Sequence, residues 1–239
     1  TVSVLYWRAS ASVIRSTMRA WSVAKLVAIA AALCVFAAAP VAAVHGGDVS
    51  EPYSESHFQC AKRNGWEFVI VRSFLSYGEP DPNAPGTLDH AKAAGIPYRD
   101  VYHFPCKGKD PKEQVRRDID AVGKHRFGTM WFDIETNPSP GCHWGGKDEN
   151  CQFLHHMIEE GKAQGIKMGV YASPYMWSTI MGGCTAGADH GLPLWYATYD
   201  HSPSFAGFRE FGGWKHPNMK QYWDSVGECG INADADWYP

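Results

Sequence analysis

What the chain lacks narrows its class before any motif does. No Asn-x-Ser/Thr sequon occurs, because Asn137 is followed by a proline, so no N-linked glycan is expected. No run of like charges, flexible linker or internal repeat interrupts the 239 residues, which argues against a disordered tail, a solenoid or a second domain. A basic excess is missing too. Four of the 22 Lys and Arg residues precede Val44, whereas all 25 Asp and Glu residues follow Ala43; residues 44–239 thus set 18 cations against 25 anions, a formal charge of −7. A nucleic-acid partner, which needs a basic face, is not expected.

The most apolar stretch is too short for a bilayer span and has no stop-transfer flank. It lies in MRAWSVAKLVAIAAALCVFAAAPVAA, from Met18: a basic start, an apolar centre and small residues before Val44. That pattern predicts a secretory signal peptide with cleavage after Ala43. Residues 1–17, ahead of that methionine, predict no structure. The expected organisation is a leader over 1–43 and one domain over 44–239. The mature chain is expected as a monomer, free of the membrane, secreted or delivered to a lysosomal or phagosomal lumen.

Of seven cysteines, Cys34 leaves with the leader and six remain, an even number suited to three disulfides. Six cysteines allow fifteen connectivities. The short, Gly- and Pro-rich segment between them makes Cys142–Cys151 the leading pair, with Cys60–Cys106 and Cys184–Cys229 completing the set.

Along the chain, strands alternate with helices. VHGGDVS (44–50) predicts a strand ending at Asp48, followed by a helix over 54–64; FVIVRSF (68–74) is a buried strand, and a helix over 87–94 stops at Gly95. YRDVYHF (98–104), an amphipathic helix over 111–123 and the TMWFDIE strand come next. A Gly- and Pro-rich loop over 138–150 precedes a helix over 153–163, the strand KMGVYAS (167–173) and a short helix over 174–181. LWYAT (194–198), MKQYW (219–223) and ADADWY (233–238) then follow as strands without intervening helices. Five strand–helix units and three bare strands predict an α/β fold, a single TIM-like barrel whose last helices are lost, with active residues at strand C-terminal ends.

The chain is organised around Thr129 to Asn137. Alternation puts Trp131, Asp133 and Glu135 on one side and Met130, Phe132 and Ile134 on the other. Apolar residues on both faces suit a parallel sheet under helices, but two carboxylates at its end do not suit packing, since burying charge without a partner is costly. An ion-paired strand end is one reading; an acid and its helper carboxylate at a barrel mouth is the other.

GGDVS, VYHF, DIE, GVYAS, LWYATYD, KQY and the closing D-x-D-W-Y, in that order, resemble glycoside hydrolase family 25, the Ch-type lysozymes, over essentially all of residues 44–239. The resemblance implies a (β/α)5(β)3 barrel and cleavage of the β-1,4 bond after N-acetylmuramic acid in bacterial cell-wall peptidoglycan. It carries Asp48, the pair Asp133 and Glu135, and Asp234 into the catalytic positions; Asp236 stands where many relatives have asparagine. Every acidic position of the pattern is filled.

The chemistry suits such a group. Glycoside cleavage needs a carboxylic acid still protonated near neutral pH, and a neighbouring carboxylate with an apolar wall raises its pKa. Glu135 is the candidate acid. Asp133 is expected to hold the substrate's 2-acetamido group or to stabilise the positive ring, by substrate-assisted retention or, alternatively, beside a direct carboxylate nucleophile. Tyr102, Tyr171, Trp195 and Tyr199 near strand ends suit sugar faces, or equally the barrel core, and Gln221 is a candidate amide donor to the glycan.

No cofactor and no metal is expected. His155, His156 and Glu159 have helical spacing without a further ligand set, which reads as a solvated face, and Asp81–Asn83 reads as a turn. Two readings from other classes stay open: a silent cell-wall-binding barrel that keeps the aromatics, and a chitinase-type barrel, which also ends a strand in D-x-E. The 11 histidines, all after Ala43, would carry the formal charge from −7 to at most +4 if all were protonated, so a mildly acidic optimum is expected.

Overall fold

The computed structural model describes residues 43–239. The expected leader lies, through residue 42, outside the described residues. From Val44 onward the strands are β1 (Val44–Val49), β2 (Trp66–Leu75), β3 (Tyr98–His103), β4 (Thr129–Asp133), β5 (Lys167–Ala172), β6 (Leu194–Ala197), β7 (Met219–Glu228) and β8 (Ile231–Tyr238). Between them run helices α1 (Glu55–Arg63), α2 (Ala84–Ala93), α3 (Pro111–Val122), α4 (Lys147–Ala163), α5 (Pro174–Ile180) and the single turn α6 (Ala186–Asp189).

Neighbours β1 to β7 pair in parallel, β7 pairs with β8 antiparallel, and β8 closes antiparallel onto β1. Eight strands therefore form a closed mixed barrel, with helices after the first five. This is the (β/α)5(β)3 arrangement; a two-residue strand, Glu79–Pro80, adds only a short flap to β2.

Period-two alternation builds two cores. Phe68, Ile70, Trp131, Tyr171, Trp195 and Met219 form the inner cluster. Val69, Val71, Met130, Phe132, Ile134 and Val170 face outward against Phe58, Leu88, Ile119, Leu154 and Ile158 of the helices. Helix starts are marked by caps: the Asp110 carboxylate accepts from Glu113 N at 2.8 Å, ahead of Pro111 at N1.

Two elements run longer than their sequence predicts. Helix α4 begins at Lys147, because Asp148 and Glu149 favour a helix N-terminus electrostatically and Asn150 Nδ2 ties the first turn to Ile180 O at 2.8 Å. Strand β7 continues past Trp223 through two register shifts, with Ser225 at φ 52°. The β7–β8 hairpin then curls over the outside of the barrel toward α1. Glu228 accepts from Trp66 Nε1 at 3.0 Å and from Asn64 Nδ2 at 2.9 Å, and Tyr53 OH donates to Asn232 O at 3.2 Å. Ile231 and Ala233 join the outer core there, so the hairpin supplies cover that elsewhere comes from helices.

The disulfides are Cys60–Cys229, Cys106–Cys142 and Cys151–Cys184, which corrects all three expected pairings. Cys142 does not close its own loop, since the chain there packs on the β3–α3 loop, with Lys107 N on Cys142 O at 3.3 Å. Cys151 sits inside α4 and faces the segment after α5. Each bridge joins separate elements of the barrel.

Candidate active site

All nine candidate residues line one cleft of about 110 Å³ at the C-terminal mouth of the barrel. Asp48 is the last residue but one of β1, Tyr102 lies near the end of β3, Asp133 ends β4, and Tyr171 and Trp195 come from β5 and β6. Glu135 lies two residues beyond β4, Tyr199 two beyond β6. Gln221 rises from β7, and Asp234 lies on the descending β8, directly opposite Asp48.

The acids fall into two kinds. Gln221 Nε2 donates to Asp48 Oδ2 at 2.7 Å and to Asp234 Oδ2 at 3.1 Å, while Gln221 Oε1 accepts from Tyr171 OH at 2.6 Å and Tyr199 OH at 2.9 Å. The amide expected to reach glycan is thereby occupied within the protein, as a clamp on two carboxylates. Asp234 also accepts Ser225 N at 2.8 Å from the β7 bulge. Asp133 and Glu135 are free by comparison. Asp133 Oδ1 is buried without a partner, and among the described residues no donor reaches the Glu135 carboxyl.

Burial and crowding hold protons on this group. Burial, with the Asp234 charge, pushes Glu135 up to about 7; burial, then Asp234, pushes Asp48 up to about 8 against the Gln221 hydrogen bond. Burial, then the charges of Glu135 and Asp48, raises Asp133 well above the carboxylate range. Asp234 is raised by burial, less so because of the Ser225 N–H. A carboxyl that titrates near 7 can give up and recover a proton at working pH.

Trp195 is 2% exposed and stacks edge-on to Tyr171 at 4.6 Å, so it forms the cleft's wall, whereas Tyr199 is 49% exposed. The sequence reading passed over other exposed rings on the same rim: Tyr77 after β2, Tyr175 opening α5 and Trp223 on β7. For Tyr77 and Tyr175 a position just past strand C-terminal ends was the available signal, whereas Trp223 lies within β7. It also passed over Trp144, whose Nε1 donates to Glu135 O at 2.7 Å and fixes the backbone of the acid. Away from the cleft, His155 meets His190 at 3.0 Å rather than building on Glu159 alone, and Asp81 forms its turn with Asn83 N at 3.0 Å while pairing with Arg72.

A family model described as lysozyme-like protein 1 matches residues 39–222. The chain is 39% identical to probable GH family 25 lysozyme 2 of Dictyostelium discoideum, over 83% of this chain and 92% of that protein. It is 33% identical to lysozyme-like protein 5 of Caenorhabditis elegans, over 87% and 97%. The fold superposes on a family GH25 lysozyme from Aspergillus fumigatus with a TM-score of 0.71, at 23% identity, over 82% of this chain and 94% of that one. With barrel, acid-lined mouth and sequence in agreement, the chain belongs to the glycoside hydrolase family 25 lysozymes and is a glycoside hydrolase.

Proposed function

We propose that this protein hydrolyses the β-1,4 bond between N-acetylmuramic acid and N-acetylglucosamine in bacterial peptidoglycan, with Glu135 as the general acid and then the base. The observation that carries this reading is the Glu135 carboxyl itself: without a donor among the described residues, lining the cleft and held at about 7. At neutral pH such a group is protonated often enough to protonate the leaving oxygen, and its conjugate base activates the water that follows. Asp133, buried beside it with a free oxygen, is placed to accept the N–H of a 2-acetamido group and turn that group's carbonyl toward the anomeric carbon. This favours substrate-assisted retention over direct attack by a carboxylate. Asp48 and Asp234, clamped by Gln221, face the positive charge that develops on the sugar ring, and the exposed Tyr199 ring offers a stacking face.

We place this activity in a secreted or lysosomal setting, where it would serve wall breakdown and antibacterial defence. Mild acidity keeps Glu135 protonated and reduces repulsion between an acidic protein and anionic walls. The gain in positive charge is smaller than the histidine count suggests, because burial and the Lys162 charge lower His190.

The test is turbidity clearance of purified bacterial walls, over a pH series at low and high salt, with product ends identified by mass spectrometry. Clearance that leaves N-acetylmuramic acid at the new reducing end, and declines above pH 7, is the expected result. Binding without cleavage would instead mark a silent wall-binding barrel. Preference for chitin would overturn the substrate, and an optimum above pH 7.5 would overturn the acid.

A further inference from the structure

One buried carboxyl has no place in the scheme above. Asp236 is fully buried on β8, two residues below Asp234, and strand alternation puts it on the same inner face. Its backbone lies opposite Gly46 of β1 and Gln221 of β7. Gly46, on the same face of β1 as Asp48, contributes no side chain. Asp236 Oδ1 accepts from Trp195 Nε1 at 2.8 Å, whereas Oδ2 is buried and no N–H reaches it. In the β1–β8 ladder Asp48 stands opposite Asp234 and Gly46 opposite Asp236, so the inward side chain diagonally beside Asp236 on β1 is Asp48.

Two carboxyls in contact can bond only when one keeps its proton. Asp48 already accepts an N–H from Gln221, which favours its charged form. Asp236 has only the Trp195 donor and no solvent, which favours its neutral form. We infer that Asp236 is a positioning residue: the member of the pair that keeps its proton when Asp48 ionises, donating its O–H to the Asp48 carboxyl and holding it facing the cleft. Asp48 is thus fixed from two sides, by an amide from β7 and an acid from β8. The same contact draws the Asp48 proton affinity down while raising that of Asp236. The other ionisable groups facing the pair are the carboxyls of Asp234, Glu135 and Asp133 and the phenols of Tyr102, Tyr171, Tyr199 and Tyr222.

The activity readout rests on the lysozyme reading given under Proposed function; the spectroscopic one does not. Asp236→Asn keeps an acceptor for Trp195 and an N–H for Asp48 but has no acid proton, while Asp236→Ala loses both bonds. In wild-type-minus-variant infrared difference spectra at pH 9, above the values of about 7 for Glu135 and about 8 for Asp48, one protonated-carboxyl carbonyl band is expected that Asp236→Asn lacks. Wall hydrolysis by Asp236→Ala is expected to fall about tenfold in kcat with KM little changed, and the Asp48 limb of its pH profile to move upward. Asp236→Asn is expected to recover most of that loss, with the limb restored. Absence of the band, or an Asn variant as impaired as the Ala variant, overturns the inference. If the wild type cleaves no peptidoglycan at all, the infrared result still decides whether Asp236 holds the proton.

Discussion

The six strands β1 to β6 and the closing pair β7–β8 deliver functional groups to the same mouth by different means. In the first group five of the six strands each present one inner residue at the cleft, Asp48, Tyr102, Asp133, Tyr171 or Trp195, and β2 presents none. The strand is buried on both faces, and its place is set mainly by apolar packing, under helices over most of its course. The descending β8 instead passes the mouth and continues inward, so two successive inner residues matter, Asp234 at the rim and Asp236 beneath. Among the described residues no helix follows the hairpin that carries it. It is held by the Cys60–Cys229 bridge, the Glu228 contacts and Tyr53. Packing places Asp48, Asp133 and Glu135; covalent and polar ties place Asp234 and Asp236.

The largest expected effect separates these roles. Glu135→Gln keeps the shape of the side chain and removes its proton, so wall hydrolysis should fall by roughly 10²–10⁴-fold with the fold intact. Asp133→Asn should also be severe, since it puts an N–H₂ where the proposed scheme needs a carboxyl oxygen to accept the 2-acetamido N–H. Steady-state rates with circular dichroism as a folding control check both. A Glu135→Gln enzyme that keeps more than half its activity would show that the acid lies elsewhere.

Breaking the ties of the closing hairpin comes next. Cys60 and Cys229 are 169 residues apart in sequence, Cys151 and Cys184 only 33. In the loop-entropy description the longer closure constrains the unfolded chain more, by about 1–1.5 kcal/mol, on costs of about 2–5 kcal/mol for losing either bridge. Cys60→Ala/Cys229→Ala should therefore lower the denaturation midpoint more than Cys151→Ala/Cys184→Ala. It should also reduce activity at temperatures where the chain is still folded, because Ser225 in the freed hairpin donates to Asp234. Equal loss of stability with unimpaired activity in the Cys60 double variant would mean that the hairpin holds its shape without the bridge.

The same contrast explains how much could be read from the sequence. Strand TMWFDIE was legible because apolar residues on both faces of a short run have one simple solution, and the two acids at its end stood out against it. The cleft residues followed, since strand C-terminal ends of a barrel converge by topology. The first turn of α4, KDEN, was not legible because it carries no apolar period, and its neighbours Gly145 and Gly146 suggested a loop. The course of β7 past Trp223 was hidden by bulges that break alternation. Disulfide pairing depends on distances between elements far apart in the chain, which spacing does not encode. Gln221 stood out as a candidate amide donor, but its saturation by two tyrosines and two aspartates exists only once the strands that carry them have met.

The smallest effect expected is on stability, and it bears on what the free acids cost the fold. Burial and the Asp234 charge lift Glu135 from 4.5 to about 7. A carboxyl that holds its proton more tightly when folded contributes stability that is fully present below its unfolded pKa, and that contribution is lost as pH rises through the folded value. For Glu135 the window runs from about pH 4.5 to about 7, and the contribution is at most about 3 kcal/mol. The wild-type Tm should therefore fall between pH 5 and pH 8. Glu135→Gln, which cannot ionise, should match the wild type near pH 5 and exceed it at pH 8 by about 1–3 kcal/mol. Asp234→Asn should give a smaller difference, because the Ser225 N–H already offsets part of the burial that raises Asp234. Calorimetry of the three proteins across that range checks the ordering. Parallel Tm curves for wild type and Glu135→Gln would mean that Glu135 is ionised in the folded protein as readily as in the unfolded chain, and would remove the basis for its role as the acid.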